Sequence, residues 1–222
     1  MKGNAKRLVV SLCLLAAFVS WTVVLRFADV RAIGPQDSVV GLAGINRLVH
    51  QWTGVHFGLY NLTDWLGLVP IFVCMGFGVF GLGQWIKRKS IRKVDFDILV
   101  LGGFYVATIA AYLFFERVVI NYRPVLIGGV LEASYPSSTT MLVMCVMPTA
   151  MMQLRGRIKK RVLRSLASFA IIVFVAFMVI GRLLSGVHWF TDIVGGALLS
   201  AGLVMLYDFV SRGKRGNWNE GT

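Results

Sequence analysis

Charge is scarce in this 222-residue chain: 15% of its residues are charged, and only 10 are Asp or Glu. Hydrophobic residues make up 57%, and mean hydropathy is +0.73. That balance excludes a soluble globular domain, in which charged residues are about 25%. Six uncharged runs, at residues 8–25, 65–86, 98–115, 138–154, 165–181 and 193–207, follow one another. Most approach or exceed the roughly 18 residues that cross about 30 Å of hydrocarbon. Period-two alternation is absent, which excludes a membrane β-barrel and leaves helices to satisfy their own backbone groups. The expectation is an all-α integral membrane protein, a bundle of six transmembrane helices forming one domain over residues 1–222.

Other absences narrow the chemistry. The three cysteines, Cys13, Cys74 and Cys145, fall inside predicted spans and read as small packing residues. No cluster of His, Asp and Glu has metal-ligand spacing, so neither a metal nor a cofactor is expected. No small-x-small cleavage site follows residues 2–25, and the apolar run is longer than the about 7–15 residues of a signal peptide. It is expected to remain as the first span. Gly76-Phe77-Gly78-Val79-Phe80-Gly81 spells GxGxxG, but no strand precedes it. The dinucleotide reading therefore fails, and close helix packing through small residues is expected.

The basic charge, a net +13, is unevenly placed. Of 23 Lys and Arg, 17 lie in residues 2–7, 87–93, 155–164 and 212–215. The other six are Arg26, Arg31, Arg47, Arg117, Arg123 and Arg182. This asymmetry predicts both termini in the cytoplasm, including a tail at 211–222, with the loops after spans 1, 3 and 5 outside. The charge is then a topology signal rather than a nucleic-acid footprint, and it points to a bacterial plasma membrane. In the outer loop, residues 26–64, Ile45, Leu48, Val49 and Trp52 recur at helical spacing beside Arg47 and His50. That pattern predicts an amphipathic helix, either on the outer leaflet or packed on the spans as a lid. His50 and His56 read as structural or interfacial.

The same topology delivers three polar segments to the outer face. Glu116, Arg117, Asn121 and Arg123-Pro124 follow span 3, Pro136-Ser137-Ser138-Thr139-Thr140 opens span 4, and Arg182, His188 and Asp192 lie between spans 5 and 6. If the last helix has begun by His188, Asp192 four residues on shares its face and can fix the imidazole tautomer. Arg123 and Arg182 carry planar forks that match phosphate oxygens two at a time. Proline and hydroxyls at the start of span 4 suit a helix N-terminus that cradles an anion.

In this order the segments resemble the type 2 phosphatidic acid phosphatase family, whose membrane members have six spans and the outer-face pattern KxxxxxxRP, PSGH, SRxxxxxHxxxD. The resemblance covers about residues 98–207 and rests on Arg123-Pro124, Pro136-Ser137, Arg182, His188 and Asp192. It implies metal-free phosphoryl transfer on a membrane lipid, with His188 as nucleophile and Asp192 orienting it. Arg123, Arg182, Ser137, Ser138 and nearby amides would hold the phosphate oxygens. The chain also departs from the pattern. Glu116 stands at the lysine position with Arg117 beside it, a shifted cation that could take over the lysine's task. Ser138 replaces the glycine, Gly181 the serine, and Thr139 the histidine that protonates the leaving group. Two readings follow: a phosphatase that favours lipid diphosphates, whose leaving group needs little protonation, or a catalytically silent relative that binds anionic headgroups or a membrane partner. Glu116, His50 and His56 are the alternative proton donors.

Overall fold

The computed structural model describes residues 2–218. Among them are eight α-helices: α1 (Lys2–Phe27), α2 (Ala43–Thr53), α3 (Phe57–Leu66), α4 (Leu68–Arg88), α5 (Phe96–Arg117), α6 (Ser138–Arg157), α7 (Arg161–Leu184) and α8 (Phe190–Trp218). A two-residue ribbon pairs β1 (Arg31–Ala32) antiparallel with β2 (Val39–Val40). The predicted tail at 211–222 is helical as far as Trp218; residues 219–222, and the side chains of Lys2, Lys214 and Arg215, lie outside the described residues.

Five of the six uncharged runs each lie within one helix, and the run 65–86 is interrupted at Gly67 between α3 and α4. Helices form because a segment in lipid must close its backbone hydrogen bonds internally, even with Pro70 in α4 and Pro148 in α6. Five segments are long and apolar enough to cross a membrane: Gly3–Phe27, Phe57–Arg88, Phe96–Arg117, Arg161–Leu184 and Phe190–Gly213. The sixth expected span, α6, is not among them, and its packing explains why. It is surrounded by α4, α5, α7 and α8, and it exposes none of its large apolar side chains. A helix enclosed by protein can carry Thr140, Thr149 and Gln153, all buried, without presenting them to hydrocarbon. The outer helices expose Leu12, Phe72, Val106 and Phe169 instead.

The core centres on α6 and α8. Phe18, Leu101, Phe104, Tyr135, Met141, Cys145 and Leu199 form one cluster, and Val143, Met147, Ile171 and Met178 form a second between α6 and α7. Of the glycines in the GxGxxG stretch, only Gly81 lies against a neighbouring helix, at Ile98; the space beside Gly76 and Gly78 is open.

Ion pairs gather the basic segments at one end of the bundle. Arg7 of α1 pairs with Asp208 of α8 at 2.7 Å, Arg88 with Asp95 at 2.8 Å, and Arg157 with Asp97 at 3.4 Å. Arg123, Arg182 and His188 cluster at the other end. The amphipathic helix expected near residue 45 is α2, and it packs on α8. Ala43 and Asn46 are its buried residues, while Ile45, Leu48 and Trp52 stay exposed. Asn46 accepts from the Thr191 N–H at 3.2 Å and donates to Thr191 Oγ1 at 2.9 Å, capping the start of α8 from outside.

Candidate active site

Arg182 occupies the last turn of α7, and His188 follows in the turn before α8. That turn is tight. Gly186 has φ +68°, and a Cβ there would lie 1.8 Å from the Gly54 carbonyl oxygen, so a side chain is excluded on both counts. The His56 N–H donates to the Ser185 carbonyl at 3.0 Å, tying the outer segment to the turn. Residues 118–137 double back on themselves through bridges Tyr122↔Ala133 and Ile127↔Val130. One arm carries Arg123 and the other Ser134, so the doubling brings both to one imidazole.

His188, 3% exposed, is the meeting point. Its Nε2 lies 3.4 Å from Arg123 Nη1 and 3.4 Å from Arg182 Nη2. Guanidinium nitrogens only donate, so Nε2 is the acceptor and the ring proton resides on Nδ1. Nδ1 is 3.0 Å from Ser134 Oγ, which donates to Asp192 Oδ2 at 2.5 Å. The direct separation of His188 Nδ1 and Asp192 Oδ2 is 3.9 Å, beyond hydrogen-bond reach. The shared helical face expected from their four-residue spacing does not exist, because α8 begins at Phe190, after His188. Ser134 fills the gap.

Asp192 itself is fully buried. It accepts from the Trp189 N–H at 2.9 Å and from Asn121 Nδ2 at 3.1 Å, and its place in the first turn of α8 favours a negative charge. Around His188, burial lowers the imidazole pKa to about 4; Arg123 and Arg182 push the same way, against the negative charge of Asp192. The ring is therefore neutral at pH 7, with its Nε2 lone pair between two cations.

Both arginines hold one carboxylate at their outer edge. Arg182, 1% exposed, has Asp64 at 3.7 Å, Thr63 Oγ1 at 3.4 Å and the Tyr60 ring at 4.9 Å. Arg123 Nε lies 3.0 Å from Glu132 Oε2, but without hydrogen-bond geometry. Nε of Arg123 and Nε of Arg182 are buried donors that lack a hydrogen-bond partner among the described residues. Two cations converging on one nitrogen, with donors to spare, form a site that an anion completes.

Ser137 is buried at the N-cap of α6, where its Oγ accepts from the Thr140 N–H at 3.5 Å, and its own N–H donates to the Asp192 carbonyl at 3.1 Å. Ser138 lies on the border between two spaces. One is a narrow cleft it shares with His188, Ser134 and Glu116. The other is a cavity of about 370 Å³ bounded by Leu68, Ile71, Ile109 and Leu142, with Asp64 and Thr139 also on its wall. Thr139 thus faces the cavity, not the cleft. Arg117 is exposed at the end of α5, and no hydrogen bond or ion pair joins it to His188, Arg123 or Arg182. His50 faces Trp189 with ring centroids 5.4 Å apart, and burial lowers its pKa. His56 is exposed, and neither histidine lines the cleft or the cavity.

Ser134 is the residue that sequence reasoning missed, as it lies outside every motif and meets His188 only because residues 118–137 fold back. The family model described as PAP2 superfamily matches residues 103–212, a stretch that contains Arg123, Ser134, Arg182, His188 and Asp192. The chain belongs to the PAP2 superfamily. Among solved structures, the PAP2 fold here is similar to that of a transmembrane PAP2 type phosphatidylglycerolphosphate phosphatase from Bacillus subtilis. The TM-score is 0.59 and the identity 19%, over 93% of this chain and 96% of that one. No curated protein matches the chain in sequence. With its apolar helices, this PAP2 protein is a multi-pass membrane protein.

Proposed function

We propose that this PAP2 protein is a lipid phosphatase of the plasma membrane, with six spans, cytoplasmic termini and a site at the extracytoplasmic face. The carrying observation is the neutral His188 Nε2 lying 3.4 Å from both Arg123 and Arg182. A phosphoryl group held by those two forks would meet the lone pair of Nε2 directly. His188 attacks phosphorus to form a phosphohistidine, the P–O bond to the leaving group breaks, and water then hydrolyses the intermediate. The orientation rests on the separation of the basic end of the bundle from the end holding His188.

The preferred substrate in this reading is a lipid diphosphate such as a polyprenyl diphosphate. Thr139 occupies the position of the family's proton donor, and its hydroxyl is a poor acid. Loss of a general acid costs roughly 10²–10⁴-fold when the leaving group is an alkoxide. A diphosphate releases a phosphate monoester, whose second pKa is about 6, and needs little help. The cavity beside Thr139, of about 370 Å³ with largely apolar walls, suits the first part of a lipid chain.

The test is kcat/KM for polyprenyl diphosphate against phosphatidic acid in detergent, with acid-quenched trapping of phosphate on histidine. A ratio well above one and a trapped, acid-labile phosphoenzyme are expected. Equal rates on the two lipids would overturn the diphosphate preference. Absence of any phosphate release would favour the catalytically silent reading, which the replaced lysine and histidine positions motivate.

A further inference from the structure

The link between His188 and Asp192 runs through a third residue. We infer that Ser134 is a positioning residue that couples the charge of Asp192 to the nucleophile, replacing a direct His–Asp contact by a two-bond chain. The inference rests on the phosphatase reading above.

The geometry carries it. Ser134 Oγ lies 3.0 Å from His188 Nδ1 and 2.5 Å from Asp192 Oδ2, whereas those two side chains are 3.9 Å apart. A hydroxyl can accept one hydrogen bond while donating another. Arg123 and Arg182 occupy Nε2 as donors, so the Nδ1 proton points at Ser134 and the Ser134 proton at Asp192. The chain has one direction. Asp192 is fixed in turn by Asn121 and the Trp189 amide, so its Oδ2 has no freedom to swing towards the ring. Ser134 is 3% exposed, and its N–H donates to the Asn121 carbonyl at 2.9 Å, which anchors the serine backbone beside the same asparagine that holds Asp192.

The chemistry follows from the direction of the chain. When Nε2 forms its bond to phosphorus, the ring becomes an imidazolium with Nδ1–H intact, and the electron pair of the broken P–O bond leaves with the departing oxygen. Ser134 accepts from that cationic N–H and passes the stabilisation to the carboxylate. No proton has to enter or leave. When water displaces the histidine, the N–P electron pair returns to Nε2, the proton lost by water passes to solvent or to the phosphate product, and the ring is again the Nδ1–H tautomer. Removing the hydroxyl leaves Nδ1–H without an acceptor, so the imidazolium formed on attack loses its link to the carboxylate, while the two arginines still hold Nε2 as the acceptor.

The experiment is a double-mutant cycle with Ser134→Ala, Asp192→Asn and the pair, measured on a lipid diphosphate in detergent, alongside ¹⁵N spectra of histidine-labelled protein. Only three histidines are present, so the His188 signals are assigned with His188→Gln. Ser134→Ala is expected to lower kcat about 10- to 100-fold, as loss of a histidine-orienting partner does, with KM nearly unchanged. Ser134→Thr should restore most of it. In the Asp192→Asn background, Ser134→Ala should cost almost nothing further, because the charge that the chain conveys is already gone. In Ser134→Ala the ¹⁵N and attached ¹H shifts of His188 Nδ1–H should change, because its acceptor is lost, while the tautomer held by the two arginines stays the same. Independent, multiplicative losses, or an unchanged Nδ1–H shift, would overturn the coupling and reduce Ser134 to a packing role. A wild type that never forms phosphohistidine would fail the phosphatase reading itself, and phosphoenzyme trapping in wild type detects that separately.

Discussion

Asp64 of α3 lies 3.7 Å from Nη1 of Arg182 in the last turn of α7, so the arginine that faces His188 already has a counter-ion before any substrate arrives. The Asp64 side chain is 61% exposed, and an exposed ion pair is worth about 0.2–1 kcal/mol. Asp64→Asn should therefore strengthen binding of inorganic phosphate by no more than about fivefold. Competitive inhibition by phosphate measures it, and a weaker inhibition constant in the variant would mean that Asp64 orients Arg182 rather than competing with the anion.

His188→Ala is expected to remain folded and to lose all turnover and all trapped phosphate. Asp192→Asn should reduce turnover sharply without abolishing it, because the nucleophile is irreplaceable while the carboxylate tunes it. Circular dichroism and thermal melting in detergent separate these losses from unfolding. Full activity in His188→Ala would remove the nucleophile assignment.

Arg123→Lys and Arg182→Lys should each lose most activity despite keeping the charge. An ammonium cannot reach Nε2 of His188 and a phosphate oxygen with the spaced donors of one planar fork. Arg117→Ala tests whether the cation shifted by one position serves the site. Since Arg117 is exposed and unconnected to His188, a loss of less than about tenfold in kcat/KM is expected. A loss equal to that of Arg182→Lys would show that Arg117 swings inward when substrate binds.

Thr139→His should raise kcat/KM for phosphatidic acid more than for a diphosphate, because it returns an acid where an alkoxide must leave. The ratio of the two substrates should fall towards one. If the ratio does not move, Thr139 is remote from the leaving oxygen, and Glu116 in the cleft beside His188 becomes the residue to change.

The His188 pKa gives a pH dependence of stability with a definite sign. In the fold its pKa is about 4, below the ordinary value of 6.5. Above pH 6.5 neither state is protonated, and the buried neutral ring costs nothing. As pH falls from 6.5 towards 4 the unfolded chain takes up a proton that the fold refuses, so stability declines by about 3 kcal/mol across that window. Melting curves of the ligand-free protein at pH 7 and pH 4.5 should show a larger decline for wild type than for His188→Gln. Equal declines would place the titration elsewhere.

Much of this molecule is written locally. Uncharged apolar runs set off by charged residues are composition, and they mark the helices because lipid forces each segment to satisfy its own backbone. The spacing of Arg182, His188 and Asp192, and the Arg123-Pro124 step, are equally local, and they located the cleft. What the tertiary structure decided lies between segments. Whether His188 and Asp192 touch depended on where α8 begins, a boundary fixed by capping from Asn46 and Asp192 that no apolar pattern shows. Ser134 reaches His188 across 54 residues, Asn121 reaches Asp192 across 71, and Thr63 reaches Arg182 across 119. Likewise, α6 could carry polar residues only because four other helices enclose it. Such relations depend on how helices pack and loops double back, and one serine, one asparagine and one threonine carry no mark of it in the chain.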